Sequence, residues 1–154
     1  MPSLSRWLNR LGLDRPELRA WAMYDWANSA MYVIVITAVF PIFFTSVAAA
    51  GFTADQANFR FGVATTIGLV IIAALAPLLG TIADQRASKL RFLGLFLTLG
   101  VIATAAMFLI GRGEWLFALV LFVLANIGVN GSFVFYDALL PHVAAPDEVD
   151  RVST

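Results

Sequence analysis

The chain has 154 residues, 60% of them hydrophobic and 13% charged, with zero formal net charge at pH 7. A soluble domain is about a quarter charged, so this composition excludes an ordinary soluble domain and points to a membrane protein. The absence of cysteine removes disulfides and thiolate metal sites, the single His142 cannot build an imidazole metal centre, and no basic cluster invites nucleic acid as a partner.

Residues 1–13 form a short amphipathic leader. Leu4, Trp7, Leu8 and Leu11 share one helical face, and Arg6, Asn9 and Arg10 lie off it. That pattern suits a helix lying on a membrane surface. Asp14, Pro16 and Glu17 then mark a helix start: Asp14 as the cap, Pro16 in the first turn, Glu17 three residues after the cap.

The first apolar stretch covers 26–50. It is too long, and its polar leader too extended, for a secretory signal. Pro41 falls inside it and is expected to bend the helix. Its doorway, residues 21–32, reads WAMYDWANSAMY. At about 100° per residue, Asp25, Asn28, Ser29 and Tyr32 gather within an arc of about 100°. Polar groups at membrane depth usually face a bundle interior or a wet cavity. Trp21 and Trp26 suit the interface.

Residues 51–61 read as a polar connection. The second run covers 62–83, the third 92–110, and the fourth 115–136, with a tight turn at 111–114. Each has the roughly 20 residues that a hydrocarbon core of about 30 Å requires. Thr65, Thr66 and Thr81 in the second run can bond back to their own helix. The third run, with only Thr98 and Thr104 as polar side chains, reads as lipid-facing or peripheral. In the fourth, Asn126, Asn130, Phe133 and Asp137 fall within an arc of about 60°. Gly128 and Gly131 take roughly the opposite side, where small residues admit a neighbouring helix.

Basic residues give the orientation. Arg6, Arg10, Arg15, Arg19, Arg86, Lys89, Arg91 and Arg151 fall on one side of the membrane, against Arg60 and Arg112 on the other. The positive-inside rule places both chain ends in the cytoplasm, with residues 1–25 as the leader and start of the first helix and 137–154 as a cytoplasmic tail. In the loop from 80 to 91, Gly80 permits close packing. Asp84 stands beside Arg86, Lys89 and Arg91, as an ion-pair partner or a cap for the third helix.

Gly80-x-x-x-Asp84 followed by basic residues resembles the loop motif between helices two and three of the major facilitator superfamily. Gln85, Ala87 and Ser88 depart from its usual pattern. Tyr24-Asp25-Trp26-Ala27-Asn28-Ser29-Ala30, Val39-Phe40-Pro41, and the stretch VFYDALLP at 134–141 resemble the vacuole-effluxer-like branch of that superfamily, the branch of the autophagy-related amino-acid effluxer.

The resemblance implies an all-α polytopic membrane protein, with four transmembrane helices forming part of a twelve-helix bundle. It implies a secondary active transporter that moves a small solute, such as an amino acid, by alternating access. The central cavity is lined by helices one, four, seven and ten. Asp25, Asn28, Ser29, Tyr32, Asn126 and Asn130 are then candidate substrate or coupling residues. Gly80, Asp84, Arg86, Lys89, Arg91 and Asp137 are candidate loop-motif or gate residues.

The expected surroundings are the lipid bilayer of the cell (inner) membrane, a small-molecule solute and the remaining helices of the same transporter, without nucleic acid, metal or cofactor. On this reading the chain is an amino-terminal fragment. The competing readings are a complete four-helix transporter working as a dimer and a non-transporting membrane subunit. No Ser–His–Asp, metal-ligand or phosphate-loop pattern suggests an enzyme, and His142 reads as a loop residue.

Overall fold

The structure is a computed structural model that describes residues 15–85 and 88–143, apart from the side chains of 83–85 and 141–143. It consists of four long helices, α1 (Pro16–Ala48), α2 (Ala54–Gln85), α3 (Lys89–Ala106, closed by a 3-10 turn Met107–Leu109) and α4 (Trp115–Val143), and among the described residues there is no strand. All four are long and apolar enough to cross a membrane. The leader and Asp14 lie outside the described residues.

α1 starts at Pro16, with Arg15 as an extended N-cap that makes no side-chain capping bond. Proline suits this position because no helical N–H is needed there. The helix then widens into π-helical turns over Met31–Val39, returns to α over Phe40–Phe43, and widens again over Phe44–Ala48. Pro41 has no N–H for the normal ladder, and the run Val33–Ile36 is β-branched and resists tight winding. The Thr37 hydroxyl donates to the Tyr32 carbonyl five residues back, at 3.0 Å, which suits the wider turn.

α2 begins earlier than the apolar run suggests. Thr53 and Gln56 form a reciprocal capping box: Gln56 N–H donates to Thr53 Oγ1 at 3.3 Å, and Thr53 N–H to Gln56 Oε1 at 3.2 Å. The polar connection shrinks to a short turn, where Gly51 takes φ of 102°. The second tight turn places Gly113 at φ 85°, and its N–H donates to the Val47 carbonyl at 3.2 Å. The two turns are thereby joined at one end of the bundle, called here the far end. α4 continues past the expected tail boundary at 137, so His142 falls in its final turn and not in a loop.

α4 is the central rod. Of its most apolar window 56% is buried, against 17%, 11% and 17% for α1, α2 and α3. Near the far end a cluster of rings joins three helices: Phe122 of α4 lies 4.6 Å from Phe40 of α1 and 4.9 Å from Phe61 of α2, centroid to centroid. Phe44 adds a contact to Phe61 at 5.8 Å. Rings in this range attract beyond their area burial.

α3 keeps one covered face and is otherwise exposed, which is compatible with the expected lipid-facing or peripheral helix. It packs directly on α4 at two glycines. A Cβ on Gly128 would fall on the Gly100 backbone and 2.8 Å from the Phe96 carbonyl oxygen, and one on Gly131 would fall on the Phe96 ring. The glycine side of α4 therefore receives a neighbour, as small residues in membranes allow. Phe96 also stacks on Phe135, at 5.7 Å. The face of α3 turned away from α4 and α1 stays exposed, with Leu95 and Ile102 uncovered.

Candidate functional site

At the end of the bundle away from the two tight turns, α1 and α4 are joined by an aromatic clasp. Trp21 and Tyr24 lie three residues apart on α1, so one helical face presents both. Tyr136 of α4 stacks on each, with centroids 3.5 Å from Trp21 and 4.7 Å from Tyr24. Its hydroxyl donates to the Trp21 carbonyl at 3.1 Å. The clasp fixes the spacing between the two helices that carry the polar stripes.

Asp25 is exposed one turn beyond Trp21, and Asp137 is exposed one residue beyond Tyr136. The Trp21–Tyr136 stack sets both carboxylates at the same end of the α1–α4 seam. Such a pair attracts a proton or a cation.

Asn126 and Asn130 form a second pair, along α4. Asn130 Nδ2 donates to the Asn126 carbonyl at 2.9 Å, and Asn126 Nδ2 to the Phe122 carbonyl at 3.1 Å. Asn126 is buried one turn from the Phe40–Phe61–Phe122 cluster, with Gly68 of α2 against its side chain. Asn130 is half-buried, one turn nearer the carboxylates. A polar track therefore runs along α4 from the ring cluster towards Asp137.

The stripe on α1 is divided. Ser29 and Tyr32 are exposed on the bundle surface. Asn28 is 5% exposed, and its Nδ2 has no hydrogen-bond partner. It does not join Asn126 and Asn130. It faces instead a cleft of about 470 Å³ between α1, α3 and α4, whose lining includes Tyr24, Met31, Gly100, Thr104 and Ser132.

The loop motif is partly described. Gly80 lies within α2 and has open space around it, so no close neighbour accounts for a glycine there. Lys89 Nζ donates to the Ala138 carbonyl at 3.1 Å, tying the start of α3 to the last turns of α4. A cation is favourable there, because the final carbonyls of a helix carry partial negative charge. Arg91 is exposed. Arg86 and the side chain of Asp84 lie outside the described residues. Among the described residues no group of acidic or histidine side chains could hold a metal ion.

Two features escaped the reading of the sequence. One is the clasp; the spacing of Trp21 and Tyr24 on α1, matched by Phe133 and Tyr136 on α4, was its visible signal. The other is Arg60, whose guanidinium sits 4.3 Å from the Phe52 ring and 4.6 Å from the Trp115 ring. That contact joins the starts of α2 and α4, and nothing in the local pattern announces it.

Residues 59–153 match the family described as "Vacuole effluxer Atg22 like". The chain is also similar to an uncharacterized MFS-type transporter, YxiO, of Bacillus subtilis (strain 168), with 42% identity over 135 residues. That match takes in 87% of this chain and 32% of the relative, so the chain spans about a third of the length of the curated protein it matches. No solved structure matches the chain.

Proposed function

Because the chain belongs to the Atg22-like vacuole-effluxer family of MFS-type transporters, we propose that its four helices are the first part of a secondary transporter moving a small solute by alternating access. The polar track of Asn126 and Asn130 along α4, running towards the end that holds Asp25 and Asp137, carries this reading. The ring cluster near the far end supports a path blocked there and open at the clasp.

In this reading Asp25 accepts the coupling proton or the amine of an amino-acid solute. Asn126 and Asn130 bind its neutral polar groups, and Ser29 and Tyr32 complete the wall with the remaining helices. Asp137 gates the entrance. Gly80, Asp84, Arg86, Lys89 and Arg91 brace the loop beside it. Asn28 belongs to the other side of α1. In this reading the clasp end lies at the cytoplasmic face of the cell membrane, and the basic residues at that end support it.

The test is uptake by the complete transporter in proteoliposomes, with a panel of radiolabelled amino acids. Asp25→Asn and Asn130→Ala should each lower the initial rate about tenfold, the scale of one lost charge-assisted or buried hydrogen bond. Unchanged uptake in both variants would sink the site. Uptake by the purified 154-residue chain alone would sink the dependence on further helices.

A further inference from the structure

The cleft between α1, α3 and α4 is not explained by the solute path. Asn28 and Met31 form part of one wall, Val101, Thr104 and Ala105 another, and the floor is the Gly100–Gly128 crossing. The α3 wall extends from Leu97 to Ala105. At about 1.5 Å per residue that is two turns of groove parallel to the helices. The walls are apolar apart from a few neutral groups. The Thr104 hydroxyl is spent on the Gly100 carbonyl at 2.7 Å, and the Ser132 hydroxyl on the Val129 carbonyl at 2.7 Å. The Asn28 amide is not spent: the residue is 5% exposed, and Nδ2 has no partner.

A buried amide donor without an acceptor is costly, and more so in hydrocarbon, where no water can serve. An acyl chain would cover the walls but leave Nδ2 unsatisfied. A helix fits the groove's direction and can bring a side-chain oxygen to Nδ2. Small floor residues also favour helix-to-helix packing.

We propose that this cleft is the seat of a further transmembrane helix of the same transporter, and that this helix presents a hydrogen-bond acceptor side chain to Asn28. The proposal rests on the reading of the chain as part of a longer transporter. It assigns Asn28 to assembly of the bundle and not to solute recognition.

The chain has no cysteine, so a single introduced one reports one position. Val101→Cys, lining the cleft, carries a photoactivated crosslinker in native membranes. Leu95→Cys, exposed on a different face of α3 and outside the cleft, is the control. Size on a denaturing gel and mass spectrometry of the adduct are read together.

The expected result is an adduct within one polypeptide longer than 154 residues, between Val101→Cys and an apolar segment bearing Asn, Gln, Ser, Thr, Asp or Glu. Leu95→Cys should give lipid adducts. Asn28→Leu should lower the yield at Val101→Cys about threefold, the scale of one interhelical hydrogen bond in a membrane. Asn28→Gln should restore it, and labelling at Leu95→Cys should stay constant in both.

A longer polypeptide that yields only lipid adducts at Val101→Cys overturns the proposal and leaves the transporter reading standing. An adduct with residues 1–154 of a second copy, in a product of only 154 residues, overturns both. An Asn28→Leu yield equal to the parent overturns the role given to the amide.

Discussion

Tyr136 of α4 donates its hydroxyl to the Trp21 carbonyl of α1 at 3.1 Å, and the same two residues stack with ring centroids 3.5 Å apart. One side chain thus makes both a directional and an area-based contact between the helices that carry the polar residues. The two contributions separate by substitution. Tyr136→Phe keeps the stack and should cost about 1 kcal/mol or less, the usual worth of a hydrogen bond within a membrane protein. Tyr136→Ala also removes the contact with Tyr24 and should cost about 3 kcal/mol. Reversible unfolding in mixed micelles measures both. Equal losses would show that the ring contributes nothing beyond its hydroxyl.

The two glycines at the α3–α4 crossing should respond unequally. A Cβ on Gly128 meets the Gly100 backbone and the Phe96 carbonyl, and backbone cannot turn aside as a side chain can. A Cβ on Gly100 would sit 3.5 Å from the Gly128 backbone, an ordinary contact distance. Gly128→Ala should therefore cost about 1–3 kcal/mol by overpacking, and Gly100→Ala less than about 0.5 kcal/mol. The same unfolding assay decides it, and the reverse order would contradict the packing.

Much of this arrangement was legible before any coordinates. Four apolar runs gave four helices, because a bilayer leaves the backbone few alternatives. Gly128 and Gly131 marked the packing face of α4 for the same reason small residues do elsewhere. The start of α2 was less legible, because its first turns are polar and lie before the apolar run. The Thr53–Gln56 capping box was the local sign. The division of the α1 stripe could not be read at all. Asn28 and Ser29 are adjacent in sequence and differ in burial, and only the position of α3 decides which of them is enclosed.

Arg60 offers a third prediction. Its guanidinium lies against both the Phe52 and the Trp115 rings, joining the starts of α2 and α4. Arg60→Met removes the charge while keeping an apolar stem. A double-mutant cycle with Trp115→Leu should return a coupling of about 0.5–1 kcal/mol, the range for exposed cation–π contacts. Arg60→Lys should recover only part of it, because lysine lacks the planar group that stacks. Zero coupling would show that the guanidinium is held by solvent and not by the rings.

The carboxylates provide the most direct check on function. Asp25 and Asp137 come from different helices and flank the Trp21–Tyr136 stack that joins them. If they bind one proton or one cationic group between them, either loss disables the same event. Asp25→Asn and Asp137→Asn should then each lower uptake about tenfold, and the double variant should also stand near tenfold, since residues acting as a unit are not additive. Separate roles, one in binding and one in gating, would multiply to about a hundredfold. Initial rates for the four proteins, at one solute concentration well below saturation, separate the two cases. The pairing also predicts that Asp25→Glu is tolerated better than Asp25→Asn, because the longer side chain keeps the charge on α1 and the Trp21–Tyr136 contact still sets the gap it must bridge. Equal loss in both would mean that position, and not charge, is what Asp25 supplies.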